Sequence, residues 1–241
     1  ATFDVNDKTE TVRHVSGAGN VDLGSGTLTV GGASAEVTFS GVISGTGNIV
    51  VNNGFSSGWH LSGSNTYTGT TTINMGVVYI SNANALGSTA GGTVVVGGAA
   101  LYLETNSFSL AEPLTLALDG PLFSCGSLTS WSGGLHTITG SVTLTDSTCI
   151  RVRNGNPLTI SGVISGAFRL EIYAGDNGTD VVTLTGNNTY TGLTNPAIGK
   201  TLINGNQPGS EVYVQNSGTV LGGTGTIGEL SFENNSTTTL A

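Results

Sequence analysis

Apolar residues along this chain come in short strings with a period of two. Between 93 and 159 the strings read TVVVG, ALYLE, SFSLAE, PLTLAL, LHTITG, SVTLT, CIRV and PLTI, each bounded by Gly, Asn, Ser or Pro. Alternation over four or five positions between such breakers predicts β-strands with one buried side. With no helix to carry crossovers, two architectures remain: an antiparallel sandwich or barrel, and a solenoid of parallel coils. Asn-Gly pairs, a strong hairpin signal, begin at Asn53, Asn154, Asn177 and Asn204, yet only Asn154 sits tightly between two strand-like strings. The solenoid explains more.

Internal repetition points the same way. SGVISG at 40–45 returns at 161–166, and LSGSNTYTG at 61–69 returns as LTGNNTYTG at 184–192, so the offset grows from 121 to 123. It then holds, with Gly76 on Gly199 and Ile80 on Ile203, while Ile73 gives way to Pro196. A proline lacks a ladder donor, which predicts a strand end or exposed edge there. One domain over 1–241 is expected, with duplicated modules at about 39–88 and 160–230.

Composition changes the picture by exclusion. The 39 Gly, 36 Thr, 25 Ser and 21 Asn make up half the chain, whereas the straight-chain helix formers Lys, Arg, Glu, Gln and Met are together scarcer than Asn alone. Helical bundles and alternating strand–helix folds are therefore excluded, and the chain reads as all-β. In a parallel solenoid, coils stack at ~4.8 Å, hydroxyl and amide side chains form ladders, and inward Val, Ile and Leu form columns. Roughly 20 to 24 residues per coil give about ten or eleven coils and a rod of ~50 Å. Cys125 and Cys149 are separated by about one such coil, without a CxxC or an adjacent His, which argues against metal. Stacked one coil apart, they would fit a disulfide and imply an oxidising compartment; two buried thiols are the alternative.

The net charge of −9 repels nucleic acid and anionic lipid. The longest nearly apolar run, 93–103, contains two glycines and is too short to span a bilayer as a helix.

The strings SGVISGTGNIVV, LSGSNTYTGTTTINMGVVYI, SGVISGAFRLEIY and LTGNNTYTG resemble the passenger-associated transport repeat of autotransporter passenger domains. SLAEPLTLALDG at 109–120 and GTVLGGTGTIGEL at 218–230 match the same style. The resemblance implies a right-handed parallel β-helix, exported to a Gram-negative-type cell surface, acting in adhesion, scaffolding or display. The chain departs from the family in lacking a basic stretch before NTYTG and a C-terminal membrane barrel.

Candidate chemistry is sparse. GTGTIG at 223–228 matches a phosphate-loop pattern but is followed by no helix pattern, so a solenoid corner is expected. Carbohydrate-cleaving β-helices need clustered carboxylates, and the candidates are Asp146 with Arg151 and Arg153, and Asp176 with Asp180. The arginines should face outward while Ile150 and Val152 face inward. His14, His60 and His136 read as isolated. Trp59, Trp131, Tyr67 and Tyr190 could stack on sugars if exposed, although packing is the better expectation. No catalytic residue, cofactor or metal is assigned.

Asp4, Asp7, Lys8, Glu10 and Arg13 suggest a charged cap at the front. The uncharged segment with Thr237, Thr238, Thr239 and Leu240 suggests a self-association edge. The expected function is a non-enzymatic extracellular structural solenoid that extends a surface or joins end to end. An adhesin for a surface glycan or host protein is the alternative, and a polysaccharide lyase or hydrolase the third reading.

Overall fold

A computed structural model describes residues 1–32, 35–54, 57–117, 126–175, 180–216, 218–233 and 239–240. Every regular element in it is a strand, and every ladder is parallel, pairing a strand with the one a coil further on. The fold is a β-solenoid of about ten coils. One long sheet contains Thr9–Val12, Thr27–Gly31, Asn48–Asn52, the first half of Thr71–Ile80, Thr93–Val95, Leu114–Leu116, Val142–Leu144 and Ile164–Gly166. A second contains Val37–Phe39, Gly58–Leu61, the second half of Thr71–Ile80, Ala99–Leu103, Leu128–Ser130, Thr148–Val152 and Leu170–Ala174, and continues through Thr194–Ile203 to Leu230–Phe232. A third runs from Ser109–Leu110 through His136–Ile138, Leu158–Ile160 and Val181–Leu184 to Thr239–Leu240.

Period-two alternation becomes columns because each strand stacks in register. On the first sheet Val30, Val51, Ile73, Val95 and Leu116 follow one another inward and are fully buried. Coils are more variable than their sequence suggests. The step from Thr194 to its partner Val212 is much shorter than the step from Leu114 to its partner Val142. The constraint is the position of each strand, so corner loops can lengthen without disturbing the ladder.

The two repeated strings make successive levels of one corner. In each copy the asparagine of NTYTG lies one coil beyond SGVISG and accepts the N–H of its isoleucine: Asn65 from Ile43 at 2.8 Å, and Asn188 from Ile164 at 2.9 Å. The tyrosine fills the interior, with Tyr67 Oη 2.5 Å from Thr71 Oγ1 and Tyr190 bonded to Thr194 in the same way. Gly76 and Gly199, at φ of 86° and 73°, let a single long strand turn from one sheet into the next without a loop. Ile43–Ser44 pairs with Asn20–Asp22 in a sheet separate from the first, whereas its repeat partner Ile164–Gly166 lies on the first sheet itself. The module is thus fitted to a corner, wherever around the coil that corner falls.

Two local expectations change. Pro196 lies inside the strand Thr194–Ile203 and is buried, where the register skips a residue between Ile172 and Tyr173. A bulge omits a ladder bond and so accommodates a residue without a donor as well as an edge does. Asn154-Gly155 turns a corner between Thr148–Val152 and Leu158–Ile160, which belong to different sheets, so it closes no hairpin.

The interior also holds polar groups. Thr71 and Thr93 interrupt the inward column between Ile49 and Leu114, and Thr93 Oγ1 donates to Glu112 Oε1 at 3.1 Å. Burial pushes the Glu112 carboxyl up to about 7, against the smaller opposing effect of the Thr93 bond. A carboxyl whose folded value lies above its ordinary 4.5 favours folding while protonated, so this group's contribution to stability is full below pH 4.5 and is lost as pH rises through about 7. Glu112→Gln is expected to flatten this fall and to stabilise the protein by about 3 kcal/mol at pH 8. Denaturant melts of both proteins from pH 4 to 8 check it; parallel profiles would remove the buried carboxyl from the account.

At the front, Asp7 Oδ1 accepts from the Ser25 N–H at 2.6 Å and ties the first coil to the second, and Asp4, Lys8, Glu10 and Arg13 reach solvent. At the other end Thr239–Leu240 pairs with Val220–Leu221, while Thr237 and Thr238 lie outside the described residues. Cys149 is fully buried, and Cys125 lies outside the described residues. Leu128 pairs with Ile150, a step that falls within the expected coil length.

Candidate binding face

On the second sheet the strings WHL, VYI, LYL and IRV each put an aliphatic or indole side chain inward on either side of one outward residue. Register stacks the outward ones: His60 on Tyr79, Tyr79 on Tyr102, Tyr102 on Thr129 and Thr129 on Arg151. Trp131 and Arg153 each follow two positions beyond Thr129 and Arg151. The rings of His60 and Tyr79 are parallel, 4.3 Å apart and 4° from coplanar. Tyr79 meets Tyr102 edge-on at 5.2 Å, and Tyr102 stacks on Trp131 at 5.1 Å. The Arg153 guanidinium lies 5.0 Å from the centre of the Trp131 ring. Beneath the rings, Val77 and Ala100 form with Tyr102 a small apolar cluster separate from the core.

Charge is concentrated around this column. His60 Nδ1 lies 2.7 Å from Glu104 Oε1, and its Nε2 lies 3.5 Å from Glu36 Oε2. Burial, with smaller contributions from Glu36, Tyr102 and Glu104, pushes the Tyr79 phenol up to about 12, so it keeps its proton at neutral pH. On the following coils Arg169 Nη2 pairs with Glu171 at 2.6 Å. The ring faces are largely taken up by one another and by the guanidinium. Tyr102 is buried at 8% exposure, while Tyr79, Trp131 and Arg153 are half-buried and carry what the column shows to solvent.

The repeat supplies an internal control. At the offset of the later copy, Thr183 stands for His60 and Leu202 for Tyr79. The module therefore folds without rings at these positions.

Other sequence candidates fall elsewhere. Trp59, Tyr67 and Tyr190 are fully buried, so they offer no sugar platform; the Trp59 indole N–H donates to the Val15 carbonyl at 3.0 Å. Asp146 caps a turn by accepting the Ser147 N–H at 2.7 Å. Asp180 is fully buried beside Gly175, and Asp176 lies outside the described residues. His14 is exposed; His136 is buried, with Nδ1 2.9 Å from Ser130 Oγ, and burial holds its pKa below the ordinary value. Arg151 and Arg153 face outward beside buried Ile150 and Val152, as alternation requires. Among the described residues no group of three or more His, Cys, Asp or Glu is arranged to hold a metal ion.

Sequence reasoning missed Tyr79 and Tyr102 and read His60 as isolated. The available signal was an aromatic or basic residue at the centre of successive apolar strings. Unequal coil lengths, growing from each partner pair to the next, hid its alignment. Compared with family models, with curated proteins and with solved structures, the chain finds no match.

Proposed function

We propose that the chain is an extracellular structural solenoid of a bacterial cell surface, non-enzymatic, which extends that surface or joins end to end. The observation that supports this reading is the parallel stack itself, whose outermost coils present further strand edges and apolar surface. Ile203, Leu221, Ile227 and Leu230 line a hollow at one end, and Phe3, Val15, Val21 and Phe39 line one at the other. A further coil, from this chain or from a second copy, would cover either by strand addition. Negative-stain imaging of the purified chain over a concentration series tests the joining. Rods of ~50 Å that lengthen in steps are expected; single rods at every concentration would contradict it.

Export to an oxidising compartment goes with a Cys125–Cys149 disulfide in this reading. Thiol labelling of the unreduced, denatured chain should modify neither cysteine. Two labels per chain would refute the pairing.

The second reading, an adhesin, is favoured by one observation: the His60 to Arg153 column, which the later copy of the module lacks. In that reading the rod presents a rigid polar face to a surface glycan. No helix among the described residues is long and apolar enough to cross a membrane.

A further inference from the structure

We propose that the column from His60 to Arg153 binds an acidic glycan, with a sugar carboxylate on Arg153 and sugar hydroxyls on the edges of Tyr79, Tyr102 and Trp131. The proposal rests on the adhesin reading and adds the class of ligand.

The ring geometry selects the kind of ligand. Stacked faces leave little flat apolar surface for a hydrophobic anchor, since Tyr102 covers one side of Trp131 and Arg153 the other. The edges instead present two phenol hydroxyls and an indole N–H, none of which bonds to a described protein group. They repeat at roughly the coil spacing of ~4.8 Å on a rigid sheet. A hydroxyl-rich chain laid along the rod can meet one donor per coil, and the fixed rings have little rotamer freedom left to lose.

The charges select the acid. Glu36 and Glu104 both face His60, and Arg169 is held by Glu171. The Arg153 guanidinium lies 5.0 Å over the centre of the Trp131 ring, and among the described residues it meets no carboxylate. A guanidinium is a planar fork of N–H donors that takes a carboxylate by two parallel bonds. The protein's net charge of −9 opposes an anion at long range, but screening over about 8 Å at physiological salt leaves the local arginine in control.

The test is titration of the intact chain with oligosaccharides of uronic acids and of the corresponding neutral hexoses, at physiological salt. The uronic oligosaccharide is expected to bind about tenfold more tightly, the size of one charge-assisted contact. Arg153→Gln should abolish that preference, read as the ratio of acidic to neutral affinity measured on the same variant. Tyr79→Phe with Tyr102→Phe should weaken both ligands and leave the melting temperature near that of the parent, because the stacks survive. Equal affinity for acidic and neutral ligands overturns the acidic assignment and leaves the adhesin reading standing. Binding of neither at millimolar concentration overturns both. An unaltered acidic preference in Arg153→Gln, if the variant melts like the parent, overturns the placement of the sugar carboxylate on Arg153.

Discussion

Gly162→Ala will destabilise the protein by on the order of 4 kcal/mol, although it adds a single methyl group. A Cβ at Gly162 would stand 1.8 Å from the carbonyl oxygen of Gly140, one coil below. That oxygen belongs to backbone held by its own ladder, so relief requires the coils to separate at the corner. The same contact recurs up the rod: a Cβ at Gly205 would lie 2.0 Å from the Gly186 oxygen, and one at Gly225 1.9 Å from the Gly205 oxygen. The hydroxyl preceding this glycine helps close the corner, since Ser161 Oγ donates to the Ile138 carbonyl at 3.3 Å. The SG that opens each SGVISG string is thus a hydroxyl that bonds down and a residue with no side chain to obstruct it. Gly155→Ala is the control. Nothing lies within 4 Å of its Cβ position, so only its φ of 76° opposes the change, at about 1 kcal/mol. Chemical denaturation of both variants checks the contrast; equal losses would remove backbone approach as the reason for the glycine column.

Trp59→Ala is expected to cost about 4 kcal/mol, near the upper range for a buried aromatic. The indole is fully buried, and its N–H reaches back to the Val15 carbonyl, so one side chain fills the core and pins the chain leaving the first coil. Truncation leaves a cavity beneath Val37 and Val78, the register partners of Trp59, and deprives a carbonyl of its donor. Trp59→Phe keeps most of the packing and should recover more than half of the loss. Hydrogen exchange should show the earliest opening at Thr2–Asp4 and Thr9–Val12. A variant as stable as the parent, or one that opens first at the far end, would contradict this role.

The coiled architecture was legible because its signal is local and repeated. Strings such as LHTITG and PLTI carry alternation, breakers and length together, and they became His136–Ile138 and Leu158–Ile160 as expected. Register was legible only where coils were close to uniform. The long step from Leu114 to Val142 and the short one from Trp59 to Val78 cannot be read from spacing, because corner loops vary while strands hold station. That irregularity concealed the ring column. Buried and displayed aromatics were inseparable for a related reason. Tyr67 and Tyr79 look alike in sequence, but Tyr67 lies in the corner segment between strands and turns inward to Thr71, whereas Tyr79 takes an outward strand position beside His60.

The central claim, coils stacked in parallel register along one axis, is tested most directly by pulsed electron paramagnetic resonance. One spin label is placed on Thr29 and the second in turn on Thr115, Thr143 and Ser165, all outward positions of a single column on the first sheet. These sites lie four, five and six coils away, so distances of ~19, ~24 and ~29 Å are expected, rising by ~4.8 Å per coil. Distances that fail to rise in that order, or that shorten between Thr115 and Ser165 as a folded-back antiparallel sheet requires, would contradict it.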